Sequence, residues 1–208
     1  FSQTGWGNYF NGSSQYLSAA SNSAFGVGSG DFTIELWVYL TANFDSNGRG
    51  LITAAYDTNF AVIGVNSVAG NKIDFYVANT LLSTGTNYIA LNTWTHLALV
   101  RSSGTTKIYF DGVEKASSGS LTGTGAAAAL YVGTLSHSTA YVMTGYLSNV
   151  RLVKGTAVYT SNFTPPTAPL TAISGTSLLT CQSNRFIDNS SNNFTLTVNG
   201  SPTVVAFS

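Results

Sequence analysis

The stretch Phe32-Thr33-Ile34-Glu35-Leu36-Trp37-Val38-Tyr39-Leu40 decides the fold class. Phe32, Ile34, Leu36, Val38 and Leu40 fall on one side of an extended chain, and Thr33, Glu35, Trp37 and Tyr39 on the other. A period of two over nine residues is the mark of a β-strand with one face against a core. Gly28-Ser29-Gly30-Asp31 supplies the turn before it.

The same alternation recurs outward from this strand. Residues 50–56 and 60–65 read as a hairpin around Asp57-Thr58-Asn59, and 72–77 as the next strand, with Ile73, Phe75 and Val77 on one side. Residues 95–101 and 107–110 form a second hairpin, and Asp111-Gly112 makes a tight turn because glycine tolerates positive φ. Further strands are predicted over 130–133, 145–153, 177–181, 194–198 and 203–207. Between them, Thr156 to Ala168 leads into Pro165, Pro166 and Pro169; proline cannot donate to a strand ladder, so this stretch is a surface crossing. Ala126-Ala127-Ala128-Ala129 is too short for an isolated helix. About a dozen short strands with regular turn signals predict an all-β, two-sheet antiparallel sandwich, as one domain over 1–208.

Composition narrows the function classes. Hydrophobic residues make up 44% of the 208, enough for a core, while charged residues are only 8% against roughly 25% in ordinary soluble proteins. Eight basic and eight acidic residues cancel. No Lys/Arg cluster is present to neutralise phosphates or anionic lipid, so neither nucleic acid nor membrane insertion is expected. The one cysteine, Cys181, cannot form an internal disulfide and reads as a buried thiol. The N-terminus, Phe1-Ser2-Gln3-Thr4, has no leader core and no initiator Met, so the chain is expected to be a processed product or a segment of something longer.

Several segments resemble laminin-G-like domains of the concanavalin-A-like lectin/glucanase superfamily. They are Tyr9 to Leu17, Gly30 to Val38, Thr93-Trp94-Thr95-His96-Leu97-Ala98-Leu99-Val100-Arg101, Lys107 to Val113 and Gly145-Tyr146-Leu147-Ser148-Asn149-Val150-Arg151-Leu152. The segment Lys154 to Pro166 is similar to versions in bacteriophage virion proteins, on tail fibres, head fibres or capsid decorations. The resemblance implies a jelly-roll sandwich on a virion or extracellular surface. It would serve as a non-catalytic adhesion module toward a glycan or host-surface receptor. The alternative is a structural virion or fibre subunit that packs against other virion proteins or copies of itself and binds no sugar. Relatives often carry acidic residues where this chain has Ser148 and Asn149, which weakens a metal role for that strand.

Glycoside hydrolysis is the remote alternative, since glucanases share the fold. Their Glu-x-Asp-x-Glu strand motif is absent here, and Asp31 and Glu35 stand about 13 Å apart on one strand, too far for a carboxyl pair. No enzyme activity is expected. His96 alternates with Trp94 and Ala98 and reads as a packed imidazole, whereas His137 falls in an exposed loop. Sugar binding calls for aromatic faces with amides and hydroxyls beside them. The candidates are Glu35, Trp37, Tyr39, Tyr76 and Tyr109, which oppose the core faces of their strands; if these strands share a sheet, they would line its outer face, unless a loop such as 156–168 or a neighbouring subunit covers it. Calcium is the metal the superfamily implies, with oxygen ligands from Asp45, Asn47, Asp57, Asn59 and Asp188; each cluster also makes a sound turn by itself.

Overall fold

The computed structural model describes residues 5–67, 69–119 and 121–207. The N-terminal Phe1 to Thr4, read above for a leader, lies outside the described residues. Fifteen strands follow one another: β1 (Trp6–Asn11), β2 (Tyr16–Asn22), β3 (Phe32–Leu40), β4 (Arg49–Ala54), β5 (Phe60–Ser67), β6 (Gly70–Val77), β7 (Thr80–Ser83) and β8 (Trp94–Ser102). Then come β9 (Thr105–Phe110), β10 (Val113–Gly119), β11 (Ala128–Val132), β12 (Thr144–Lys154), β13 (Thr176–Thr180), β14 (Leu196–Asn199) and β15 (Thr203–Ala206). The 3-10 turn Ser23–Phe25 is the only helical element among the described residues, and no helix there is long and apolar enough to cross a membrane.

Two antiparallel sheets make a jelly-roll sandwich, as expected. The eight-stranded sheet runs β10-β9-β8-β3-β12-β1-β15, with β13 beside the second half of β12. The seven-stranded sheet runs β14-β2-β11-β4-β5-β6-β7. The core between them takes Phe32, Ile34, Leu36, Val38 and Leu40 from β3 and Ile73, Phe75 and Val77 from β6, on the sides that alternation assigned. The strands β1, β2, β7 and β10 were not read from sequence, because Gly, Ser, Asn and Lys interrupt their apolar alternation. The alanine run does not form a helix: Ala128 opens β11 and faces the core.

The strand that decided the fold is buried on both faces. Only Tyr39 in β3 is half-buried; every other residue is buried, the polar Thr33 and Glu35 included. The cause is residues 156–168, which cross the outer face of the eight-stranded sheet as a strap. Thr33 Oγ1 donates to Thr156 O at 3.0 Å and accepts from Val158 N at 2.9 Å. Tyr159 stacks on Phe163 at 3.6 Å, and Phe163 meets Tyr109 and His96 edge-on. Phe163 N donates to Gly112 O at 2.9 Å. Gly112 has φ +76°, and a Cβ there would stand 1.7 Å from Phe163 O, so only glycine lets the strap dock on this turn.

Candidate functional site

Under the strap, Glu35 is fully buried and engaged. Its Oε1 accepts from Arg151 Nε at 2.9 Å and from Arg151 Nη2, and its Oε2 accepts from the Tyr159 hydroxyl at 2.8 Å. His96 Nε2 approaches the same oxygen at 3.3 Å. Burial pushes the carboxyl upward, but the His96 hydrogen bond and the Arg151 charge outweigh it and hold Glu35 below its ordinary value. Burial, followed by the Glu35 charge, raises the Tyr159 phenol. This network ties strap to sheet.

The candidate sugar-binding set is therefore divided. Glu35 and Tyr109 are shut in under the strap, and Trp37 is 5% exposed beside it. Tyr39 joins an aromatic cluster with Trp94 and Tyr146 at the end of the same sheet. Tyr76 lies in β6, on the other sheet altogether. These strands do not share one sheet, so no common aromatic face forms. The buried, hydrogen-bonded reading of His96 agrees with its position.

The open face belongs to the seven-stranded sheet. Register places Tyr131, Thr53, Ala61 and Tyr76 in one cross-strand row, and Ile63, Asp74 and Ser83 in the next. The β11–β12 connection folds back over this face. Thr53 Oγ1 donates to Thr134 O at 3.1 Å, Tyr56 N donates to Ser136 Oγ at 3.2 Å, and Leu135 packs on Ala61 and Ile63. Gly50 makes the approach possible, since a Cβ there would lie 2.1 Å from Thr134 O. The result is a chain of partly exposed rings: Tyr76 to Tyr56 at 4.9 Å, Tyr56 to His137 at 5.4 Å, and His137 to Tyr141 at 6.2 Å.

These rings border two hollows that share Tyr56 and His137. One, of about 360 Å³, includes Asn47, Asp74, Tyr76 and Tyr141; the other, of about 230 Å³, includes Asp57, Tyr131 and Ser136. Asp74 is held at the first by Lys72 Nζ at 2.9 Å and by Ser83 Oγ. Burial, then Tyr56 and the Asp74 charge, push the Tyr76 phenol upward, so it stays a neutral donor. Such a surface offers ring faces to C–H groups and carboxyl, amide and hydroxyl groups to hydroxyls.

A family model described as the concanavalin A-like lectin/glucanases superfamily, of laminin G type, matches residues 11–158. The chain belongs to this superfamily. Among solved structures, this laminin-G-type chain is similar to a Bacteroides ovatus protein described as carbohydrate binding, with TM-score 0.69 and 14% identity over 98% of this chain. It spans 60% of that protein. It is also similar to a native heptameric SAP-like pentraxin of Limulus polyphemus, with TM-score 0.65, 14% identity, and 99% and 97% of the two chains covered. Domain 4 of AbnA, a GH43 extracellular arabinanase of Geobacillus stearothermophilus solved with arabinotriose, aligns at TM-score 0.56 and 21% identity over 72% of this chain and 71% of the other. No curated protein matches in sequence.

The calcium candidates of this superfamily member lie in separate turns. Asp45 pairs with Arg49 and accepts from Asn47 N at 3.0 Å. Asn59 is buried and donates to Ala126 O. Asp188 is buried and accepts from Leu179 N, Ser190 N, Ser190 Oγ and Phe194 N, which uses the acceptor capacity of a carboxylate. Among the described residues no three His, Cys, Asp or Glu side chains gather as a metal set. Asn47 and Asp57, from two of the three candidate clusters, each border one of the two hollows. Asn149, at φ +50°, lies at the β12 bulge, where its Oδ1 accepts from Leu170 N at 2.7 Å.

Tyr56, His137 and Tyr141, which border the two hollows, are not among the candidates that the sequence offers. Their signal was present but weak: a tyrosine just before the Asp57-Thr58-Asn59 turn, and a loop, Ser136-His137-Ser138-Thr139-Ala140-Tyr141, that carries aromatic side chains without alternation.

Proposed function

We propose that this chain is a non-catalytic glycan-binding module whose ligand lies across Tyr76, Tyr56, His137 and Tyr141 on the outer face of the seven-stranded sheet. The observation that carries this reading is the convergence of four partly exposed rings on two adjoining hollows edged by Asn47, Asp57 and Asp74. Protein sites for small ligands pair apolar ring surface with a few placed polar groups, and the larger hollow falls in their usual range of about 300–1,000 Å³. The almost ion-free composition suits a neutral, hydroxyl-rich ligand. The description of the Bacteroides ovatus protein and the arabinotriose on the arabinanase domain agree with it. A virion or extracellular location rests on the likeness of Lys154 to Pro166 to virion proteins.

A glycan array probed with the full chain, in calcium and in chelator, tests the reading. At least one glycan class should bind, and Tyr56→Ala and Tyr76→Ala should each weaken it about tenfold or more, the loss of about 1.4 kcal/mol typical of a central interface tyrosine. An array silent under both conditions, or binding untouched by both substitutions, would exclude it.

A further inference from the structure

The eight-stranded sheet ends on β15, Thr203-Val204-Val205-Ala206, which pairs with β1 on one side and has no neighbour among the described residues on the other. Its register fixes which backbone groups are left over. Phe207 N donates to Gly5 O at 2.9 Å, and residues of an antiparallel pair alternate between bonded and non-bonded positions. Val205 and Thr203, opposite Gly7 and Tyr9, therefore bond inward to β1. Val204 and Ala206 turn their N–H and C=O groups out to the open edge, where another extended strand meets them in kind. The same sheet protects its other edges. β10 carries Glu114, Lys115 and a bulge between Glu114 and Ala116. The far side of β13 is closed by side chains: Asp188 Oδ1 accepts from Leu179 N, and Asn192 Nδ2 donates to Thr176 O and Ser177 O. β15 has no such guard, and residues 189–207 contain no charged side chain.

We propose that β15 is the interface between two copies of this chain, joined edge to edge about a two-fold axis at Val205. In that register Val204 of each copy opposes Ala206 of the other, and every outward N–H and C=O of the two residues finds a partner. A slip by two residues would set the Ala206 C=O against Pro202, which has no N–H to give. Val205 then faces Val205 of the other copy, and Thr203 faces Phe207. These are β-branched and aromatic cross-strand pairs with no like charges opposed. The occupant is a second copy because the strand is its own complement, and a symmetric pairing uses up both edges and leaves neither open to further chains. A two-fold axis between antiparallel strands stands perpendicular to their sheet, so both copies turn the same face the same way. The two seven-stranded sheets, each with its groove around Tyr56, lie on one side of the dimer. If the groove binds glycan, the dimer engages one surface at two points; the pairing itself does not depend on that reading.

Sedimentation velocity of the full chain, from micromolar to submillimolar concentration, tests this, and a reversible dimer is expected. Val204→Pro leaves the bonds to β1 in place, because the Val204 N–H points away from β1, yet it deletes one donor from each copy. It should weaken dimerisation about tenfold or more. Val205→Lys sets like charges directly opposite and should do the same. Circular dichroism of both variants, matching the wild type, separates a lost interface from a lost fold. Should either variant fail to fold, a cross-link decides: Val205→Cys under oxidised glutathione should yield a disulfide-linked dimer. Val113→Cys, on the exposed start of β10, should not, and the native Cys181 is buried. A chain that stays monomeric throughout, a dimer indifferent to Val204→Pro and Val205→Lys, or equal cross-linking of the two cysteine variants would overturn the proposal. The glycan array reports the Tyr56 groove alone, so either reading stands or falls without the other.

Discussion

The carboxylate of Glu35 meets Arg151, Tyr159 and His96 without reaching water. Removing one partner of such a pair leaves a buried charge uncompensated, so Arg151→Met should cost about 3–5 kcal/mol in denaturant unfolding. Because the folded protein holds Glu35 below its ordinary value of 4.5, the stabilisation is complete above that pH. It is lost as pH falls through the folded value. Glu35→Gln should therefore lower stability at neutral pH and flatten its fall in acid; an acid limb as steep as the wild type's would refute the assignment. Alternation placed Glu35 on the face away from the core, and that direction is right. Nothing near it in sequence announces the partners, since Tyr159 lies 124 residues away. Cys181 was more legible: an apolar neighbourhood predicts burial, and burial pushes its thiol up to about 12.

The strap is the element that decides which face of the molecule is open. Three prolines announced a surface crossing, but which sheet it crosses follows from Gly112, whose missing Cβ admits Phe163 O, and from Thr33, which bonds the strap backbone twice. Gly112→Ala combines a strained φ of +76° with a backbone collision. It should destabilise by more than about 1 kcal/mol and release the strap locally. Hydrogen exchange at the Phe163 amide, now donated to Gly112 O, checks this. Undiminished protection there in the variant would mean that the strap is held by its rings alone. The β11–β12 connection does the equivalent on the opposite sheet, where Gly50 lets it lie against β4 and bring His137 beside Tyr56. Loop sequence carries little sign of such docking, because a glycine's neighbour in space is set by the other strand.

The whole chain contributes to both sheets. The superfamily match stops at residue 158, yet β13 and β15 complete the eight-stranded sheet and β14 edges the seven-stranded one. We expect one cooperative unfolding transition, with tryptophan fluorescence and far-ultraviolet circular dichroism coinciding, and a less stable fold for a chain ended at Val158, which would leave one edge each of β1, β2 and the second half of β12 without its neighbour. Two resolved transitions would divide the domain. The sequence by itself determined the pleated layers, the faces of their strands that meet in the core, and the scarcity of ions, because side-chain period and composition are local properties. Only the tertiary structure decided that one outer face is roofed by Tyr159 and Phe163 while the other keeps its tyrosines open, because covering a sheet depends on contacts between segments more than a hundred residues apart.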